Sequence, residues 1–238
     1  MEKALENLDK IFGTRASFLS RERKFWINCF TKVQNMKNGH RILKRIANAS
    51  DDDMTDYLVE VWYSVLFFEL GFDVVIEPLG KAGPDLEVTI DDVSSIVELT
   101  GFRNIYAGPP ELPYDTDDFV LTEYGDSRRD TEKAYNKIIG KFPQIKQSQL
   151  STSIIALWNN NGELEEIEMQ AAIEHLRRDL LSQAIVVPES LAFVLFAPSE
   201  NKILCFPVRS LTSYEQNWKE RVEEMSIAKF KDQVLNMK

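Results

Sequence analysis

The chain has few of the residues on which zinc sites, disulfide frameworks and nucleophilic triads depend. Its 238 residues contain two cysteines and two histidines. Cys29 and Cys205 are far apart, lie among apolar neighbours and have no metal-type spacing, which is typical of buried free thiols in a reducing compartment. His40 and His175 are each isolated on a segment predicted as helix. Zinc clusters and Ser-His-Asp catalysis therefore have little support in this sequence.

Long apolar runs and nucleotide-binding loops are missing as well. No apolar run approaches the roughly 18–20 residues that a membrane-spanning helix needs, and the first residues do not open a signal peptide. Residues 80–83 lack the spacing of a phosphate-binding P-loop, and no dinucleotide-binding fingerprint is present. We therefore expect a cytoplasmic protein that has no membrane partner and no small-molecule cofactor.

Apolar side chains and negative charge are abundant, and the charge is unevenly distributed. The chain is 44% hydrophobic and 11% aromatic, which predicts a well-packed globular protein. The net charge is −10, yet residues 1–50 hold 11 Lys and Arg against 4 Asp and Glu. This basic region is either a cationic arm that follows a phosphate backbone or a helical lobe docked on an acidic body. Its candidate nucleic-acid contacts are Arg21, Arg23 and Lys24.

The hydrophobic pattern divides the chain into a basic N-terminal helical lobe (1–50), an α/β core (51–210) and a C-terminal helix packed on the core (211–238). Predicted helices cover residues 3–12, 17–37, 39–48, 51–70, 127–142, 165–182 and 214–235. Predicted strands cover residues 72–77, 83–90, 93–100, 152–158, 191–197 and 203–208. Residues 101–125, rich in Pro, Asp and Tyr, are predicted to be a long functional loop.

Residues 83–100 carry the most informative pattern, two short strands that fold back on each other. If Asp91-Asp92 is a two-residue turn, the numbers of paired residues sum to 183, so Asp85 faces Glu98. Alternation places Leu86, Val88, Ile90, Val93, Val97 and Leu99 on one face, and Asp85, Glu87, Thr89, Ser94, Ile96, Glu98 and Thr100 on the other. Facing Cβ atoms lie roughly 4.5–5.5 Å apart, close enough for two carboxylates to share one divalent cation.

The order helix–strand–strand–strand–helix–strand, together with Pro84-Asp85, Glu98 on the next strand and Glu60 in the preceding helix, resembles the PD-(D/E)xK nuclease superfamily. This is the fold of many type II restriction enzymes and Holliday-junction resolvases. The resemblance covers roughly residues 54–158. It implies an α/β protein with a restriction-endonuclease-like core (αβββαβ), in which a central mixed sheet is flanked by helices.

The same resemblance implies that Glu60, Asp85 and Glu98 hold Mg²⁺ or Mn²⁺. It also implies a lysine two positions after the glutamate that orients or activates the attacking water. Thr100 stands at that position here, and threonine brings no charge.

A substitute cation is available on the helix that follows the long loop. Lys133, Lys137 and Lys141 are spaced four residues apart along one stripe, and some members of the superfamily carry the lysine on this helix. Lys137 and Lys141 are the preferred candidates. Weaker candidates are Gln144, Lys81 and Arg103. The alternative is that these are ordinary solvent-facing side chains of an amphipathic helix.

Two functions follow from this interpretation. In the first, the protein is a Mg²⁺-dependent endonuclease that hydrolyses DNA, with Asp85, Glu98 and Lys137 or Lys141 as catalytic residues and Arg103 as a further contact to nucleic acid. In the second, it is a catalytically degenerate relative that serves as a nucleic-acid-binding or protein-assembly module. A homodimer would suit cleavage of both strands, and the sequence leaves this open.

Overall fold

Six strands form one mixed sheet in which each strand lies beside its predecessor in the chain. A computed structural model describes residues 1–13, 20–80, 83–102, 127–159, 164–197 and 202–236. The strands are β1 (Asp73–Ile76), β2 (Leu86–Ile90), β3 (Val93–Phe102), β4 (Ser153–Asn159), β5 (Leu191–Ala197) and β6 (Leu204–Pro207). β3, β4 and β5 run parallel, and the remaining neighbours are antiparallel.

Helices cover both faces of this sheet. They are α1 (Glu2–Phe12), α2 (Ser20–Asn35), α3 (Gly39–Ile46), α4 (Asp51–Glu69), α5 (Ser127–Gly140), α6 (Phe142–Ile145), α7 (Glu166–Leu181), α8 (Ser213–Glu223) and α9 (Ile227–Leu235). The order α4-β1-β2-β3-α5-β4 confirms the predicted helix–strand–strand–strand–helix–strand order and a mixed α/β class. None of the helices in the described ranges is long and apolar enough to cross a membrane.

The strands alternate between two hydrophobic cores, one on each face of the sheet. In β4, Ile154, Ala156 and Trp158 enter the core formed with α1–α4, α8 and α9. Ile155 and Leu157 enter the core formed with α5, α6 and α7. Since Glu98 pairs with Ile155 across the parallel β3/β4 ladder, its side chain lies on the face that α5 and α6 cover. The face predicted to be polar is therefore buried at Glu98.

The β2–β3 hairpin has the predicted register. Ladder partners run from Leu86 with Val97 to Ile90 with Val93, so every pair of numbers sums to 183. Asp91 and Asp92 have φ values of 51° and 60°. Positive φ at both central residues is the conformation of a two-residue hairpin turn that matches the twist of the strands.

Helix α4 begins and ends as its sequence predicts. The Ser50 side chain accepts a hydrogen bond from the Asp53 N–H at 3.3 Å, a normal N-cap contact. At the other end Gly71 has φ +87°, and the N–H groups of Gly71 and Phe72 donate to the carbonyls of Phe68 and Phe67. This αL cap turns the chain directly into β1.

Two helices that the sequence predicts as continuous are interrupted. The prediction of one closing helix over 214–235 is wrong, because the segment forms two helices, α8 and α9. Ser226 caps α9 by accepting the Lys229 N–H at 3.1 Å. The helix predicted over 127–142 ends at Gly140, and the short helix α6 follows with Pro143 in its first turn. Most of the long loop predicted over 101–125 lies outside the described residues.

Glu215 supplies a buried polar anchor for α8. It accepts hydrogen bonds from the Arg209 guanidinium at 2.7 and 2.9 Å, from the Thr152 hydroxyl at 3.0 Å and from the Thr212 N–H at 2.9 Å. Burial by itself raises the pKa of Glu215, but these donors outweigh it and hold the pKa below its ordinary value. The carboxylate is therefore stabilised in its charged form.

We predict that Glu215→Gln lowers the free energy of unfolding by about 2–3 kcal/mol at pH 7, because Arg209 loses its charged partner. Since the pKa is lowered in the folded state, this difference is present above the range where a free glutamate titrates and is lost as the pH falls through the folded pKa. Urea unfolding at pH 7 and pH 3 measures it. The control is Glu220→Gln, an exposed position of the same helix, and equal losses in both variants would contradict the prediction.

Candidate active site

A pocket of about 310 Å³ opens where α4, α5 and the C-terminal half of β3 approach one another. Its walls are formed by Asp56, Tyr57, Val59, Glu60, Asp85, Leu99, Thr100, Gly101, Lys137 and Lys141. The predicted residues Glu60, Asp85, Lys137 and Lys141 thus lie around one cavity. Thr100, which stands where the motif lysine is expected, lines the same cavity.

Asp85 reaches β3 through its side chain rather than through the strand ladder. The β2/β3 ladder ends at Leu86 and Val97, one pair before the predicted pair of Asp85 with Glu98. The Asp85 backbone carbonyl instead accepts the Glu77 N–H at 2.8 Å. Its Oδ2 accepts the Leu99 N–H at 2.8 Å, which holds the carboxylate against the residue that follows Glu98.

Lys141 brings the two carboxylates together. Its Nζ lies 3.1 Å from Glu98 Oε2 and 3.8 Å from Asp85 Oδ2. All three side chains are shielded from solvent, with exposures of 21% for Lys141, 24% for Asp85 and 1% for Glu98. The sequence proposed either Lys137 or Lys141 as the substitute cation, and Lys141 is the one that contacts both acids. Lys133 forms a separate ion pair with Asp130 at 2.9 Å.

The two carboxylates are costly to charge in this position. Burial and the nearby Asp85 raise the pKa of Glu98 to about 8, although Lys141 opposes the shift. Burial also raises the pKa of Asp85, against the favourable effects of Lys141 and the Leu99 N–H. Among the described residues, Glu98 Oε1 is buried and has no hydrogen-bond partner. An additional cation at this point would stabilise both acids in their charged forms.

Glu60 lies on the opposite wall of the pocket, on α4. Its oxygens accept hydrogen bonds from Arg45 at 2.6 and 3.2 Å. Burial and the nearby Asp85 raise the pKa of Glu60 to about 8, although Arg45 opposes the shift. Glu77 also pairs with Arg45, at 3.2 Å. The acidic residues of the site thus extend from β3 across the pocket to α4.

The two residues predicted to contact nucleic acid whose side chains are described, Arg23 and Lys24, do not line this pocket. Arg23 pairs with Asp9 through two hydrogen bonds of 2.8 Å, and Lys24 is exposed on α2. The Arg21 side chain and the candidates Arg103 and Lys81 lie outside what the structure describes. The weaker candidate Gln144 is in α6, with a buried Oε1 that has no hydrogen-bond partner.

The residues whose role the sequence did not indicate are Arg45 and Glu77. Arg41 and Arg45 were counted only as part of the N-terminal basic region, although their spacing of four residues puts both on one side of α3. This spacing was the one feature of the sequence that indicated a shared position for the two arginines. Glu77, at the end of β1, offered none, because a single glutamate after a strand is typical of solvent-facing turns.

The donor chemistry of the site fits a hard divalent cation. Mg²⁺ and Mn²⁺ prefer oxygen ligands, and Mg²⁺ is commonly bound by one or two carboxylates with several waters. Asp85 and Glu98 supply two carboxylates, and the unpaired Oε1 of Glu98 is a buried oxygen that lacks a donor. Within the described residues, no three His, Cys, Asp or Glu side chains converge as a ready-made metal cluster. The fit therefore rests on two carboxylates, with Glu60 farther across the pocket.

Comparisons with models of protein families, with curated proteins and with solved structures find no match for this chain. The function is therefore argued from the residues of the pocket and from their geometry.

We predict that Glu98→Gln becomes progressively more stable relative to the unmodified protein as the pH rises from about 4.5 to 8. Glu98 has a raised pKa in the folded state, so its ionisation costs stability across this window, and glutamine does not ionise. Thermal unfolding measured at half-unit pH intervals tests this, with Glu87→Gln on the same hairpin as the control. A difference in Tm that stays constant between pH 5 and 8 would contradict it.

Proposed function

We propose that this protein is a divalent-metal-dependent endonuclease that hydrolyses phosphodiester bonds in DNA, built on a restriction-endonuclease-like core. The observation that carries the proposal is the position of Lys141, whose ammonium lies 3.1 Å from Glu98 and 3.8 Å from Asp85. These are the three charged groups that the PD-(D/E)xK motif requires, with the lysine supplied by the residue between α5 and α6.

The element order and the location of each group support this proposal. Asp85 stands directly before β2, Glu98 lies within β3, and Lys141 follows the helix that leads to the parallel strand β4. In the superfamily that the sequence resembles, the two acids occupy this hairpin and the lysine follows the second acid. Thr100, two residues after Glu98, lines the pocket without a charge, so the cationic role passes to Lys141.

Each residue then has a distinct task. Asp85 and Glu98 would hold Mg²⁺ or Mn²⁺, with Glu60 as a third acid across the pocket. The bound ion would polarise a phosphoryl oxygen and lower the pKa of a water. The Lys141 ammonium orients the attacking water and stabilises the negative charge that grows on the phosphoryl oxygens. Its low exposure strengthens this electrostatic effect, because little solvent screens it.

The charge balance of the pocket favours a cationic ligand. Glu60 and Asp85 line the pocket, Glu77 shares Arg45 with Glu60, and Glu98 shares Lys141 with Asp85. Burial and the nearby Asp85 raise the pKa values of Glu60 and Glu98 to about 8, although Arg45 and Lys141 oppose the shifts. A divalent cation would offset the cost of charging these acids.

One observation favours the second candidate function, a degenerate nuclease fold that binds without turnover. The Lys141 ammonium already pairs with both carboxylates, and such a pair is able to stabilise the fold without any metal. The two functions differ in whether the protein cleaves DNA, so the assays below separate them.

We predict that the protein cleaves plasmid DNA with Mg²⁺ or Mn²⁺ and that Asp85→Asn and Glu98→Gln abolish cleavage, because each removes a metal ligand. We expect Lys141→Met to reduce kcat by about 10²–10³-fold, the usual cost of removing one group that stabilises a developing charge. Lys137→Met, one helical turn away, is the matched variant and should lose much less.

Gel assays of supercoiled and linear DNA give these rates. Cleavage that persists in Asp85→Asn would contradict the assigned site. No cleavage by the unmodified protein with either metal would favour the degenerate module.

A motif-restoring variant tests whether Lys141 replaces the lysine expected at position 100. We predict that adding Thr100→Lys to Lys141→Met raises kcat at least tenfold above that of Lys141→Met alone, because both positions line the same pocket. A lysine at position 100 would carry its charge on a flexible stem. Single-turnover cleavage of a labelled duplex measures the recovery. Lys137→Met combined with Thr100→Lys is the control, and no recovery in the Lys141→Met background would contradict the replacement.

A further inference from the structure

Arg45 of α3 connects two of the buried acids at the pocket. Its NH1 and NH2 donate to the two oxygens of Glu60 at 3.2 and 2.6 Å, and NH2 also lies 3.2 Å from Glu77 Oε1. The guanidinium carbon lies 4.9 Å from the ring centre of Tyr57. The planar group is therefore fixed on several sides.

The helix that carries Arg45 is itself anchored to the sheet. Asn38, just before α3, donates its side-chain amide to the Ile76 carbonyl at 3.0 Å, and the Ile76 N–H donates to the Lys37 carbonyl at 3.1 Å. Ile42 and Ile46 of α3 are fully buried in the core beneath α4. Arg45 thus projects towards the pocket from a firmly held backbone.

We infer that Arg45 is a positioning residue of the proposed metal site, which holds the Glu60 carboxylate in a fixed plane facing Asp85. The inference rests on the proposed function. Glu60 and Asp85 both line the pocket. A carboxylate has about four lone-pair sites, so a bidentate arginine leaves lone pairs on Glu60 for a metal or for a metal-bound water. Hydrogen bonds from outside the ligand set commonly orient metal-binding carboxylates in this way.

The choice of arginine is part of the argument. A lysine ammonium is a point charge that does not define the plane of a carboxylate, whereas the guanidinium fork does. Lysine at position 45 would therefore keep the charge near Glu60 and Glu77 while releasing the orientation of Glu60. The Arg45→Lys variant therefore separates the positioning of Glu60 from the simple balance of its charge.

The test measures Mn²⁺ binding by the full chain, by isothermal titration calorimetry and by loss of the free Mn²⁺ electron paramagnetic resonance signal. We expect Arg45→Lys to weaken Mn²⁺ binding about 10- to 100-fold, the usual effect of losing such an outer hydrogen bond. Arg41→Lys, one turn earlier, is the matched control. Arg41 is 43% exposed and lies 3.9 Å from Glu77, so we expect less than a twofold change.

A double-mutant cycle shows whether Arg45 acts through Glu60. In a Glu60→Gln background the carboxylate to be oriented is gone, so Arg45→Lys should weaken Mn²⁺ binding by no more than about twofold. Thermal unfolding of every variant accompanies the titrations. If Arg45→Lys does not fold, Arg45→Gln, a shorter and uncharged side chain that keeps an amide donor, takes its place in the same cycle.

The outcomes separate the inference from the proposed function. Unmodified protein that binds no Mn²⁺, or an Asp85→Asn variant that binds it equally well, overturns the metal site and the role of Arg45 with it. Mn²⁺ binding that depends on Asp85 but is unchanged in Arg45→Lys overturns only the role of Arg45. A loss of the same size with and without Glu60 overturns it too, because Arg45 would then act by another route.

Discussion

The candidate site depends on one electrostatic arrangement, a lysine ammonium placed against two shielded carboxylates. Asp85 and Glu98 would repel each other if they were left alone, and the burial of Glu98 makes its charged form costly. Lys141 reduces this cost without removing it, since the pKa of Glu98 stays raised and, among the described residues, its Oε1 has no hydrogen-bond partner. The ion pair therefore offsets only part of the cost of burying the two acids.

The fold brings Glu98 and Lys141 together on one face of the sheet, and Asp85 joins them through the Leu99 N–H. The hairpin turn at Asp91-Asp92 sets the register that aligns β2 with β3, and the parallel β3/β4 pairing places α5 over the face that carries Glu98. Glu60 and Arg45 approach from the other core, through α4 and α3. The pocket lies beside the C-terminal half of β3, between residues of α4 and α5.

Much of this arrangement follows from local sequence patterns. The hairpin register from Leu86 to Ile90, the extent of α4 and the element order depend on neighbouring residues, and they were predicted correctly. The break between α8 and α9 was missed because a serine within a helical pattern gives a weak signal until its cap contact is seen. The contacts of Arg45 with Glu60 and Glu77 were missed because they join three elements, and residue spacing carries no information on such distant pairs.

Placing the cation at a junction between two helices, instead of on a strand, changes which part of the protein must be rigid. A lysine at position 100 would be fixed by the β3 backbone itself, whereas Lys141 depends on the junction between α5 and α6. Ile138 before this junction and Phe142 and Ile145 after it are buried in the second core, so packing holds the Lys141 backbone from both directions. The geometry of the site is thus tied to the hydrophobic packing of α6, and a loosened core there would separate Lys141 from the two acids without altering any charged residue.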